Sequence, residues 1–241
     1  MSTNMTLEVK VHKAQTSILR ELLFVLEAGY AELQKPTGLT SDHFNFHIAR
    51  LVEIGLVEKV GRGRYKLTHK GKEYANKLDT DNKTIERQPK VAVLLAIERE
   101  MNGRQELLFQ QRTKNPYYGY WGFPTGKIRW GETIVRAAER ELDEETKLSA
   151  EYRVCGLYHE HTYIEGQEEA MEDKMFFVVH CTNPTGELME KFEGGLNKWM
   201  TADEARKLEK RYTSFETELE MILGSKGAFV EEQHHYTKDE F

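Results

Sequence analysis

The sequence predicts an α/β protein preceded by a small α+β module, and three observations carry that prediction. Residues 91–97, VAVLLAI, form a continuous apolar run of the kind found in strands buried on both faces. Residues 133–142 carry good helix formers with no Gly or Pro, and further strand-like stretches flank them on both sides. Residues 11–78 instead read as helices followed by a glycine-turned hairpin. Charge divides the chain at the same place. Residues 1–88 hold 14 Lys and Arg against 11 Asp and Glu, and the remainder holds 20 against 29, together giving the net charge of −6. The boundary is expected in the polar, aperiodic stretch 78–89, which ends in Pro89. The two domains are therefore read as 1–85 and 86–241.

In the first module, residues 13–28 place Ile18, Leu19, Leu22, Leu23, Val25 and Leu26 on a helical stripe, which Gly29 stops. Residues 30–35 make a short second helix, and Pro36-Thr37-Gly38 makes a turn. Thr40 or Ser41 can cap a third helix to Ile54, buried through Phe44, Ile48, Leu51 and Val52. Residues 56–60 and 64–68 read as strands around Gly61-Arg62-Gly63, and a last helix spans 69–78.

The second module opens with the strand 90–97, turns through 98–106 and returns through 107–112. A Tyr-rich loop, 114–120, follows. Tyr117, Tyr118 and Tyr120 either pack at the surface or stack on a nucleobase. Residues 152–162 and 173–181 read as strands around an acidic loop. His159 and His161 share one face of the first strand, as ordinary strand residues or as metal ligands. Residues 203–210 and 214–223 read as helices, and 227–241 as a polar tail with no legible role.

The chemistry concentrates in residues 126–148. On a helix, Glu141, Glu144 and Glu145 stand at i, i+3 and i+4, so three carboxylates share one face. Solvation or a cation relieves their repulsion, and an all-oxygen set suits Mg²⁺ or Mn²⁺. Ile134, Ala137, Ala138 and Leu142 give the helix an apolar side. The preceding loop, with Gly126 and Gly131, leads onto a helix N-terminus, whose free N–H groups can receive phosphate.

This stretch resembles the Nudix box, G-x5-E-x7-R-E-U-x-E-E-x-G-U, in which U is a bulky apolar residue. Gly126, Glu132, Arg140, Glu141, Leu142, Glu144, Glu145 and Leu148 fall on eight of its nine fixed positions. Lys147 stands where the family has Gly, at a helix end where a left-handed residue is expected. The phrase YWGFPTGKIRWGET looks like MutT-like members. The resemblance implies an α/β/α sandwich with a mixed sheet, and a hydrolase that brings water onto a phosphoanhydride with the help of Mg²⁺ or Mn²⁺. It implies Glu141, Glu144 and Glu145 as metal ligands, with the Thr125 carbonyl added. Glu144 or Glu193 becomes the general base, since Glu193 lies shortly before Trp199 as a further Glu does in MutT-like relatives. Arg140 is expected to pair with Glu132 and brace the loop, while Gly126 and Lys127 meet substrate phosphate.

Residues 11–78 resemble the winged helix-turn-helix family. That resemblance implies base contacts from Ser41, His43, Asn45 and His47 and phosphate contacts from Arg50, Arg62, Arg64 and Lys66 on double-stranded DNA. Winged helices also serve as homodimerisation or docking modules. Three readings follow: a hydrolase tethered or regulated by the winged helix, a regulator that senses a nucleotide through its Nudix domain, and an enzyme that uses the first module to dimerise. The intact carboxylates favour catalysis, with a nucleotide-type substrate.

Composition narrows the classes. With 39% hydrophobic and 10% aromatic residues the chain can build packed cores. No apolar run is long enough to span a bilayer, and residues 1–10 show no apolar signal core. Cys155 and Cys181 alone form no disulfide framework and no four-Cys zinc site, so a reducing cytoplasm is the expected compartment.

Overall fold

Residues 11–78, 87–224 and 226–240 are described by the computed structural model. Two units emerge, residues 1–87 and 88–241. Most of the expected linker, residues 79–86, lies outside the described residues, as do residues 1–10.

In the first unit α1 (Lys13–Leu23) leads to β1 (Ala28–Gly29), α2 (Tyr30–Gln34), a 3-10 turn (Lys35–Thr37) and α3 (Ser41–Glu53). A hairpin of β2 (Val57–Gly61) and β3 (Arg64–Leu67) then precedes α4 (His69–Ala75). Ile18, Leu19, Leu33, Phe44, Leu51 and Leu56 are wholly buried in one core. The first helix is shorter than its stripe implied. It stops at Leu23, and Val25 and Leu26 stand exposed. The cause lies downstream, because Ala28 and Gly29 pair with Tyr65 and Arg64 and draw the chain into a three-stranded sheet. Val52, expected inside, is 39% exposed.

The second unit runs β4 (Lys90–Met101), β5 (Arg104–Arg112), β6 (Trp121–Gly122), β7 (Thr125–Lys127), α5 (Ile134–Thr146), β8 (Leu148–Ile164) and β9 (Glu172–Gly186). It continues with β10 (Lys191–Phe192), β11 (Gly195–Met200), α6 (Ala202–Ala205), α7 (Phe215–Ile222) and β12 (Phe229–Tyr236). The strands form one mixed sheet in the order β10-β11-β5-β4-β9-β8-β12, with β6 on β5 and β7 on β4. Pairs β4–β9 and β8–β12 are parallel. Alternation along β4 explains why helices cover both faces. Val93, Leu95 and Ile97 pack on Ala137, Ala138 and Leu142 of α5, whereas Ala92 and Leu94 face Phe215 and Leu219 of α7.

Three expectations are corrected. The opening strand continues to Met101, so its turn shrinks to Asn102 and Gly103, both left-handed. The helix expected at 203–210 is only Ala202–Ala205. The polar tail contains a strand: β12 pairs along β8 from Leu157 to Ile164. Polar side chains suit that edge, because several meet polar partners on β8, such as Glu231 on His159 and His234 on Tyr158. Among the described residues, no helix is long and apolar enough to cross a membrane.

Candidate active site

Helix α5 begins at Thr133, whose side chain caps the Arg136 N–H, and it buries Ala137, Ala138 and Leu142 beneath the sheet. That orientation brings Glu141 against β7 and Glu145 against β5, with Glu144 beside the loop residue Arg129. Gly126 on β7 lies directly against the Glu141 side chain of the helix. A Cβ there would lie 1.9 Å from Glu141 Cδ and 2.0 Å from its Cγ, so only glycine leaves room for this carboxylate.

Arg140 organises the loop. Its Nε and Nη2 donate to the two oxygens of Glu132 at 2.8 Å each, a bidentate pair. Nη2 also donates to the Lys127 carbonyl at 3.0 Å, and Nη1 reaches Glu141 and Glu144. The Arg140 fork, with the Arg129 backbone N–H, holds the Glu132 carboxyl down at about 2. One guanidinium thus ties the loop before the helix to the carboxylates on it.

The three carboxylates occupy different surroundings. Glu141 is mostly enclosed, and its oxygen accepts from Arg140. Glu144 is half-exposed, with Arg129 at 3.2 Å and Arg140 at 3.3 Å. Glu145 is partly buried against β5. Burial raises its pKa and the Gln110 hydrogen bond opposes this, while the charges of Glu141 and Glu144 push it further up. Gln110 Nε2 donates to Glu145 Oε2 at 2.9 Å, and Asn197 Nδ2 donates to the Glu145 carbonyl at 2.7 Å. Sequence reasoning missed Gln110, Asn197 and Arg129. Gln110 and Asn197 face each other across β5 and β11. Their signal is a polar residue where the alternation of the strand demands an apolar one.

Lys147, in place of the family glycine, is left-handed with φ 60°, and its N–H donates to the Asp143 carbonyl at 3.1 Å. The helix therefore ends as a glycine would end it, with a strained lysine. Lys147→Gly is expected to raise stability by about 1 kcal/mol. The lost Asp143 contact is exposed and weak. Urea unfolding followed by tryptophan fluorescence checks this, because Trp121, Trp130 and Trp199 all lie in the second unit.

The other candidates divide. The Thr125 side chain is exposed on β7, and Lys127 is exposed beside the loop. Glu193 sits on the exposed turn between β10 and β11 and makes no hydrogen bond or ion pair among the described residues. Tyr117 and Tyr120 are buried against Tyr212 and Tyr236, so they are packing residues, and Tyr118 alone of the three is exposed. Trp130, in the box loop, is fully exposed.

In the first unit, Ser41, His43, Asn45 and Arg50 are exposed on α3 and Arg62 on the hairpin turn. His47 turns partly inward and stacks on His12 at 4.7 Å, and burial with repulsion from His12 and His43 lowers its pKa. Arg50, Arg64 and Lys66 already pair with Glu53, Glu27 and Glu58 at 2.7, 2.8 and 3.0 Å.

A family model for the NUDIX domain matches residues 87–219. An ADP-ribose pyrophosphatase of Methanocaldococcus jannaschii is 32% identical over 93 residues, covering 36% of this chain and 53% of that protein. The 8-oxo-dGDP phosphatase NUDT18 of Mus musculus is 41% identical over 51 residues, covering 21% of this chain and 16% of that protein. The chain thus spans about half the length, or less, of these curated relatives. Among solved structures, a MutT NUDIX hydrolase from Burkholderia pseudomallei aligns with a TM-score of 0.46 and 24% identity, covering 56% of this chain and 99% of that one.

Proposed function

The chain belongs to the Nudix family, and on that premise we propose that it is a divalent-cation-dependent hydrolase. Its reaction is cleavage of a phosphoanhydride bond in a nucleoside diphosphate derivative or a nucleoside triphosphate. The observation that carries this is the convergence of Glu141, Glu144 and Glu145 on one helix face, with Glu141 seated against Gly126. The names of the two curated relatives, acting on ADP-ribose and on 8-oxo-dGDP, support a nucleoside diphosphate as the substrate class.

The donor set fits Mg²⁺ or Mn²⁺. It is all oxygen, and burial together with the charges of Glu141 and Glu144 raises the Glu145 pKa, an imbalance that a cation would correct. Glu141, Glu144 and Glu145 would hold the ion, with the Thr125 carbonyl as a further ligand. When bound, such an ion supplies Lewis acidity toward phosphoryl oxygens and acidifies water. Arg140 and Glu132 keep the loop against the helix, and Gln110 and Asn197 fix Glu145 from the sheet. Glu144, half-exposed at the helix surface, is our candidate to take a proton from the attacking water. Glu193, exposed on the turn between β10 and β11, is the alternative base. Lys127 offers charge to the substrate phosphates, and Trp130 offers an exposed ring for a base.

We read the first unit as a winged helix that docks or regulates. Three of its four basic candidates are already paired, and the outer face of α3 carries Asp42, Phe46 and Glu53. A gel shift on duplex DNA that weakens steeply with salt would instead assign DNA binding to this unit.

The enzyme reading is tested with Mg²⁺ or Mn²⁺ and a panel of dNTPs, oxidised dNTPs, ADP-ribose, NADH and dinucleoside polyphosphates. The expected result is metal-dependent turnover of one class that falls in Glu145→Gln. Tight binding of one member without turnover would instead make the Nudix domain a nucleotide sensor.

A further inference from the structure

Away from the box, β8, β9 and β12 bring together a second set of metal-ligating side chains. His159 and His161 lie two residues apart on β8. Asp173 faces His161 from β9, and Glu231 faces His159 from β12. His159 Nε2 is 2.9 Å from Asp173 Oδ1, and His161 Nε2 is 3.8 Å from Asp173 Oδ2. One ligand atom from each of these three residues lies within 4.8 Å of the others. Ligand atoms around a tetrahedral ion with bonds of about 2.0–2.1 Å stand about 3.3 Å apart, so these spacings need only small side-chain movements.

The surroundings of the cluster match what a metal site requires. His159 Nδ1 is 2.7 Å from Glu231 Oε2. This is the carboxylate–histidine arrangement in which the second ring nitrogen donates outward and fixes the tautomer that ligates. His161 Nδ1 is enclosed and has no hydrogen-bond partner among the described residues, which leaves Nε2, on the Asp173 side, as the ligating nitrogen. The two imidazoles are held close, with ring centroids 4.2 Å apart. All three candidate ligands are partly exposed, so an ion can enter.

We propose that His159, His161 and Asp173 form a second cation site that takes a zinc-type divalent ion, with Glu231 orienting His159. Two imidazoles and one carboxylate suit zinc better than the hard, all-oxygen set of the box. Three protein ligands leave a fourth position for water. Tyr158 and Glu160 point to the α7 side of the sheet, so the site shares the face that carries α5. It is separate from the box: Gly126 aligns through Val93 and Phe177 to Leu157, three strand spacings or about 14 Å away, and His159 lies further along β8. A bound ion would clasp β8 to β9 and, through Glu231, tie in β12. None of this depends on hydrolase activity.

The test is calorimetric titration of chelator-treated full-length protein with Zn²⁺, in excess Mg²⁺ to occupy the box. One equivalent is expected to bind, raising the melting temperature by about 5 °C at a hundredfold excess over Kd. His161→Ala and Asp173→Asn should weaken Zn²⁺ binding by about a hundredfold or more. Glu231→Gln should weaken it about 10–100-fold. The double variant Glu144→Gln/Glu145→Gln should leave it unchanged. Wild-type protein that binds no Zn²⁺, or variants of the three strands that bind it as well as wild type, overturns the proposal. So does loss of Zn²⁺ binding in the box double variant. Should His161→Ala fail to fold, the Glu231→Gln titration decides, since that edge residue is half-exposed.

Discussion

Gly126→Ala is expected to lower metal-dependent turnover by about a hundredfold or more while leaving the fold in place. The added Cβ would fall 1.9 Å from Glu141 Cδ and 2.4 Å from its Oε1, which no real contact permits. The obstructing atoms belong to a side chain rather than to backbone, so the strand need not break. Glu141 swings away instead. It then leaves Arg140 Nη1, and the carboxylate arc that holds the cation opens on one side. A displacement of about 1 Å at a catalytic group costs on the order of a hundredfold in rate. Two measurements separate this from simple unfolding. Turnover of the panel substrate should collapse, and Mn²⁺ affinity measured without substrate should fall with it. The tryptophan melt of the second unit should move by only a few degrees. Turnover within about threefold of wild type would show that Glu141 is not held where the reaction needs it.

The box was legible in the sequence because its spacing is its geometry. Carboxylates at i, i+3 and i+4 share a helix face wherever the helix sits, and the loop before it needs only to turn. What stayed hidden depends on chain segments that meet from a distance. Gln110 and Asn197 reach Glu145 only because β11 returns alongside β5, which no local period announces. Tyr117 and Tyr120 read as a loop surface until Tyr212 and Tyr236 close over them. β12 failed for a related reason. Its stretch FVEEQHHY alternates too weakly in polarity to show a buried face, and its partners lie about seventy residues upstream on β8. In the first unit the helical stripe through Leu26 obeyed the period, yet pairing of Ala28 and Gly29 with β3 ended the helix early. Tertiary pairing overrode local pattern in each case.

Glu218→Gln is expected to stabilise the second unit at alkaline pH and to leave it unchanged in acid. Glu218 lies fully inside, on α7, and burial together with the charge of Glu160 on β8 pushes its pKa up to about 8. Glu232 on β12 adds to the rise, while a Ser214 hydrogen bond and the Lys174 ammonium on β9 pull it down. The unfolded chain releases this proton near 4.5. Between those two values the folded protein keeps a proton that the unfolded chain has lost, so stability falls as pH rises across the window. Above about 8 the full burden of a buried carboxylate is carried, and below about 4.5 it vanishes. Each pKa unit corresponds to about 1.4 kcal/mol, so the total reaches a few kcal/mol. Glutamine keeps the shape and the hydrogen-bonding capacity without the titration. The melting temperature of the second unit, followed by tryptophan fluorescence, should therefore be about 5 °C or more higher for Glu218→Gln at pH 8.5. The two curves should converge toward pH 4. Parallel curves across this range would mean that Glu218 ionises freely in the fold, and that the Glu160–Glu218 pair is wetter than its enclosure implies.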